Sequence, residues 1–188
     1  MLGSGKLSAV IGRLRRALRI ALFRRLHPRV QLGPGVTIAG RLMVGGPGRV
    51  VIGEGCNLES KSAQPNRLNT LTRDAVIEIG PDSYLNGVHI AARESVVIGA
   101  RATLGAGAIF DTDFHGTAPS ERHTSSPTRP VRLGDDVWLA ERAAVLKGVT
   151  VGDAAVIGYG AVVTRDVEAG AIVAGAGVRV VGNVLHGT

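Results

Sequence analysis

The stretch 133-LGDDVWLAERAAVLKGVTVGDAAVIGYGAVVTRDV-167 returns an aliphatic residue every six positions, at Leu133, Leu139, Val145, Val151, Ile157 and Val163. Small residues follow at Gly134, Ala140, Gly152 and Gly158. A second set stands four positions after each aliphatic, at Val137, Ala143, Val149, Ala155, Ala161 and Val167. A strand alternates with period two and a helix with period 3.6, so a sustained period of six fits neither alone. Six residues make one short strand and one corner. The aliphatics point inward and stack on their counterparts a layer away, while small residues let the backbone turn. The pattern predicts an all-β fold, a parallel β-helix.

The same beat recurs upstream at Leu32, Ile38 and Val44, at Ile52 and Leu58, at Ile79, Leu85 and Ala91, and at Ile98, Leu104 and Phe110. Three sides close a coil of about 18 residues, and coils stacked about 4.8 Å apart give roughly six layers. Composition agrees, because 27 glycines in 188 residues is about twice the usual share and aromatics are only 3%. Rings do not fit a narrow prism. The expected organisation is a basic helical segment at 1–29, the β-helix at 30–168, and a C-terminal tail or cap at 169–188.

Two stretches leave the beat. The segment 111-DTDFHGTAPSERHTSSPTRP-130 has no aliphatic period and carries Pro119, Pro127 and Pro130, which marks a loop thrown out from the solenoid. Long loops on a compact scaffold usually carry function. The segment 59-ESKSAQPNRLNTLTRD-74 reads either as a loop or as a degenerate coil containing Leu68 and Leu71. Cys56, the single cysteine, stands four after Ile52 in a core slot, which excludes internal disulfides and cysteine metal clusters.

Charge is unevenly placed. Residues 1–30 hold Lys6, Arg13, Arg15, Arg16, Arg19, Arg24, Arg25 and Arg29 with no acid, a charge of +8, whereas the rest of the chain carries −1. Leu7, Val10, Ile11, Leu14, Leu18 and Leu22 fall on one helical stripe and Arg13, Arg15, Arg16 and Arg19 on the other side. Two readings stay open: a helix that caps the solenoid or packs in an oligomer, and a helix on an anionic membrane surface through residues 6–26. Arginines interrupt every apolar run too early for a membrane span or a signal peptide. No base-stacking aromatics accompany them, so nucleic acid is not an expected partner. The expected location is a reducing cytoplasm, with the inner membrane face as the alternative site of contact.

The segments 134-GDDVW-138, 147-KGVTVGD-153 and 158-GYGAVVTRDV-167, preceded by a loop with a histidine, resemble the left-handed β-helix acyltransferases. More narrowly they are similar to the galactoside, maltose and xenobiotic acetyltransferase branch and to O-acetyltransferases of polysaccharide synthesis. The resemblance covers about residues 30–180. It implies a homotrimer with acetyl-coenzyme A in the clefts between neighbouring prisms and a loop histidine facing the thioester, which by position is His115.

The chemistry fits that histidine. Acetyl transfer to a hydroxyl requires removal of a proton from a weak acid, and a largely neutral imidazole at pH 7 can accept it. Asp111 or Asp113 would hold the other ring nitrogen. Asp113 is the expected partner, because an extended 113–115 would put both side chains on one side. The resemblance further assigns Asn86 to the acceptor side and Trp138 to the cleft wall. Backbone near Ala140 and Gly158 would run along the pantetheine arm, with an N–H near Ala140 as oxyanion donor. Thr164, Arg165 and Arg179 would reach the nucleotide end. His89 is open between an acceptor contact and structure, and His27, His123 and His186 read as solvated. One departure stands out: the family often reads glycine-asparagine-proline-alanine where this chain has 175-GAGVRVV-181.

The expected activity is therefore acetyl-coenzyme A-dependent O-acetylation of a sugar or glycan hydroxyl. N-acetylation of an amino sugar and a non-catalytic trimeric scaffold are the alternatives. Zinc chemistry of the γ-carbonic anhydrase kind is not expected, because the histidines lack the required spacing, and no metal site is assigned.

Overall fold

The computed structural model describes residues 4–61, 63–116, 118–124, 126–175 and 179–185, with the side chains of 4–10, 13, 15 and 16 outside that description. Lys6, Leu7, Val10, Arg13, Arg15, Arg16 and His186, named above, fall outside it for their side chains or entirely.

Short strands wind into three parallel faces. The first joins Val30–Leu32, Arg49–Ile52, Val76–Ile79, Ser95–Ile98, Val131–Leu133 and Thr150–Val151. The second runs from Thr37–Ile38 through Asn57–Glu59, Tyr84–Asn86, Thr103–Leu104, Trp138–Leu139 and Val156–Ile157 to Ala171–Ala174, where Arg179–Asn183 adds antiparallel. The third stacks Leu42–Gly45, Asn66–Thr70, His89–Ala92, Ala108–Phe110, Ala144–Val145 and Val162–Val163. Registers align the hexapeptide aliphatics layer on layer, as in Leu104, Leu139 and Ile157 or Ile109, Val145 and Val163. All of these are buried in one continuous core.

The corner from the first face to the second needs a left-handed residue in every coil. Gly55 and Gly170 supply it at φ +69° and +71°, but Asp82, Arg101, Asp136 and Ala154 adopt it too, at φ between 56° and 58°. Non-glycine residues there are held by neighbouring layers. Asp135 Oδ1 accepts the Ala100 N–H at 2.8 Å, and Arg101 forms a two-pronged ion pair with Asp136.

The beat is corrected at two positions. Ile90 and Ile109, rather than Ala91 and Phe110, point into the core, because the corners before them are one residue shorter than the corner between Leu139 and Val145. In one of them the Gly107 N–H turns back onto the Gly105 carbonyl at 2.7 Å. Phe110 is thereby turned outward. The segment 59–74 is a degenerate coil, with Leu68 fully buried and Leu71 at the surface.

The helix Ser4–Leu26 lies against the first coil, where Ile20 and Phe23 pack on the core. Arg19 donates to the Gly40 carbonyl at 2.7 Å and Arg24 to the Leu32 carbonyl at 2.9 Å. These contacts cover the open end of the solenoid.

Candidate active site

The loop at 111–130 leaves the third face after Phe110 and returns to the first at Val131. Its base is tied to the coil before it. Asp111 is wholly buried, and its carboxylate accepts the N–H groups of Arg93 at 2.7 Å and Glu94 at 2.6 Å. The two ends of the loop then pair with each other. Thr112 and Thr128 form an antiparallel bridge, the hydroxyls of Thr112 and Ser126 meet at 3.2 Å, and the Asp113 N–H donates to Ser126.

This frame sets the histidine. Phe114 adopts φ +64°, and the His115 N–H folds back onto the Asp113 carbonyl at 2.7 Å, so 113–115 is a turn and not an extended run. His115 is exposed, and its Nδ1 lies 2.7 Å from the Arg122 carbonyl oxygen. A carbonyl can only accept, so Nδ1 carries the proton in the neutral ring. The Nε2 lone pair is left available.

The expected Asp113–imidazole pair is therefore corrected. The Asp113 carboxylate forms an ion pair with Lys147, which stands at the same corner one coil later. Asp111, the other candidate, anchors the loop. The turn at Phe114 is the physical reason, since it takes Asp113 off the side from which His115 projects. Neither Lys147 nor the Arg122 carbonyl was singled out from the sequence. Lys147 opens the segment KGVTVGD, which is where a signal existed; a backbone carbonyl leaves none.

Three rings connect the loop to the wall. Phe114 meets Phe110 edge-on at 5.2 Å, and Phe110 meets His89 edge-on at 5.1 Å. His89 is half-buried beside Asn69, 3.4 Å away, and burial, followed by the nearby Arg67 charge, lowers its pKa.

The remaining candidates line the opposite border of the third face. Asn86, Gly105, Ala140, Gly158 and Ala174 follow one another up the corner between the second and third faces, as the registers of their strands require. The side-chain oxygen of Asn86 accepts the Lys61 N–H at 2.8 Å and so holds the degenerate coil. The Ala140 N–H itself donates to the Ile157 carbonyl at 2.9 Å within the ladder. Trp138, Tyr159 and Val162 are exposed beside this column at 52%, 59% and 41%, with Arg142 over the Tyr159 ring. Thr164 and Arg165 are exposed on the border that bears the loop, and Arg179 is exposed in the last strand of the second face. The residues 176–178 that lead to Arg179 lie outside the described residues.

The expected site residues thus fall into two groups. His115, Asp113, Thr164 and Arg165 occupy one edge of the third face, and Asn86, Ala140 and Gly158 the other. Cys56 takes no part. It is fully buried, its thiol donates to the Gly80 carbonyl at 3.2 Å, and burial raises its pKa.

Residues 130–165 match the family described as bacterial transferase hexapeptide (six repeats). That segment is a hexapeptide array. The Escherichia coli (strain K12) protein WbbJ, named for lipopolysaccharide biosynthesis O-acetyl transfer, is 36% identical over 112 residues, which is 54% of this chain and 57% of WbbJ. The chain spans little more than half the length of that relative. A hexapeptide-repeat acetyltransferase from Vibrio cholerae superposes with a TM-score of 0.58 over 90% of this chain and 81% of its own, at 21% identity. AntD, an N-acyltransferase from Bacillus cereus solved with dTDP-4-amino-4,6-dideoxyglucose and coenzyme A, superposes at 0.63 over 81% and 82%, at 16% identity. These solved structures establish the shared fold, a left-handed parallel β-helix.

Proposed function

We propose that this protein is an acetyl-coenzyme A-dependent O-acetyltransferase acting on a sugar or glycan hydroxyl. The observation that carries this reading is the orientation of His115, whose Nδ1–H is held by the Arg122 carbonyl so that Nε2 can take a proton. The acceptor hydroxyl gives its proton to Nε2 as its oxygen bonds to the acetyl carbon. The carbon–sulfur bond then breaks, and the imidazolium returns the proton to the departing thiolate. With Cys56 buried, no nucleophile among the described residues is suited to carry the acetyl group, so transfer is direct.

The split between the two edges supports assembly as a homotrimer, in which the His115 edge of one prism faces the Ala140 and Gly158 edge of the next. Trp138, Tyr159 and Val162 would then be covered at the junction. The column Gly105, Ala140, Gly158 and Ala174 presents no side chain larger than methyl, a strip that fits the pantetheine arm. Thr164, Arg165 and Arg179 supply the exposed donors and cations that suit phosphates. Asn86 and the ring row at Phe110 and Phe114 border the acceptor space. In this reading residues 30–168 hold the histidine and most of the site, 169–188 add Ala174 and Arg179 at its cofactor end, 1–29 are accessory, and the enzyme works in the cytoplasm. WbbJ supports O-transfer to a saccharide.

The test is turnover with a panel of hydroxyl and amine saccharide acceptors. Preference for hydroxyls supports the reading, preference for amines overturns O-transfer, and failure to bind acetyl-coenzyme A at millimolar concentration favours a scaffold.

A further inference from the structure

The N-terminal helix is mounted the opposite way from an ordinary amphipathic helix. Its contacts with the solenoid come from Ile20, Phe23 and the arginines Arg19 and Arg24. At 100° per residue Ile11, Leu14, Leu18 and Leu22 share an arc of about 80° on the far side. They are exposed at 42%, 60%, 61% and 58%, and Leu26, about 40° beyond the arc at 100° per residue, is exposed at 65%. From residue 11 to 26 the row extends roughly 22 Å, at about 1.5 Å per residue. An exposed row of large apolar side chains of this size marks a contact surface.

Charge selects the occupant. The segment 1–30 carries +8 and contains no carboxylate. Packing these rows together from several copies would bring like-charged helices within about 10 Å with no acid of the segment to balance them. An anionic lipid surface supplies both an apolar layer for the leucines and negative headgroups for the arginines. Arg25, exposed within the same arc, is placed to reach headgroups past the leucines. No described helix is long and apolar enough to cross a membrane, so such a helix lies in the plane of the surface.

We propose that the leucine row Ile11, Leu14, Leu18, Leu22 and Leu26 docks the protein on an anionic lipid bilayer, with the first coil of the prism nearest the surface. The loop bearing His115 follows the fourth coil, three layers away, which places it about 14 Å above the first coil. This geometry suits an acceptor tethered to the membrane, a consequence that rests on the transferase reading, whereas the docking itself does not.

The test is co-sedimentation of the full chain with phosphatidylcholine vesicles and with phosphatidylcholine/phosphatidylglycerol vesicles, for wild type and for Leu14→Glu/Leu18→Glu. Both leucines are exposed, so the variant should keep the wild-type melting temperature. The expected result is binding to the anionic vesicles alone, weakened by salt and reduced about tenfold or more in the variant. Absence of binding to anionic vesicles, or binding unchanged in the variant, overturns the proposal. A lower oligomer mass for the variant by light scattering, without vesicle binding by wild type, assigns the row to contact between copies and overturns it as well.

Discussion

Replacing Asp111 with alanine tests what holds the histidine loop. Its buried carboxylate accepts two backbone N–H groups, at 2.7 and 2.6 Å, from the turn at Arg93 and Glu94. Hydrogen bonds to a charged group contribute about 1.5–3 kcal/mol each, and a buried donor left unpaired costs about 1–3 kcal/mol. Both hydrogen bonds are only part-buried, so water can replace some of what is lost and the loss belongs at the lower end, about 2–4 kcal/mol in total. For a chain of this size each kcal/mol lowers the melting midpoint by roughly 2–4 °C, giving a fall of roughly 4–16 °C. The assay is thermal unfolding by circular dichroism at one fixed protein concentration, because oligomer melting depends on it. Amide hydrogen exchange read in parallel should show protection lost across the loop strands near Thr112 and Thr128. Asp111→Asn, which keeps one acceptor oxygen, should lose about half as much. A midpoint within about 2 °C of wild type, with loop protection intact, would refute the anchoring role.

Three further outcomes follow from the same geometry. Asp113→Asn should lower kcat by less than about tenfold, because the Arg122 carbonyl rather than Asp113 holds the imidazole, whereas His115→Asn should lower it by about 10²–10⁴-fold; equal losses in steady-state assays would contradict the arrangement. His89 is held below its usual pKa by burial and Arg67, so the folded state disfavours its protonation. Its contribution is intact above the unfolded value of about 6.5 and is lost as pH falls through the lower folded value. Melting curves of wild type and His89→Gln should therefore diverge in slope below about pH 6.5, and parallel curves would count against the buried, neutral ring. Cys56 should resist alkylation by iodoacetamide in the native protein and react on unfolding, while Cys56→Ala keeps acceptor-dependent turnover; loss of turnover with unchanged melting would reopen covalent transfer.

The fold was legible wherever one residue type repeats for one physical reason. Leu133 to Val163 are all core residues of successive sides, so their spacing is the geometry of the coil itself. The signal weakened where a corner shortened, and Phe110 was read as core although Ile109 takes that place. At Asp82, Arg101 and Asp136 the left-handed position itself is not glycine, because neighbouring layers hold the turn. For the candidate site, residue types suggest roles from the sequence, but pairings do not. His115 and its loop stood out by breaking the beat, but Lys147 is remote in sequence from Asp113, and the Arg122 carbonyl is backbone. The sequence predicts a two-faced helix, yet a hydrophobic stripe does not say which way it turns. Here Ile20 and Phe23 seat the helix and the leucines look outward.

The most direct test of the central claim is coenzyme A release from acetyl-coenzyme A, measured with and without a mixed panel of sugars and glycans, on wild type and His115→Ala side by side. Acceptor-dependent release by wild type, reduced by about 10²–10⁴-fold in the variant, is the result that a positioned histidine base requires. Acceptor-dependent release that persists in His115→Ala at near the wild-type rate would contradict it.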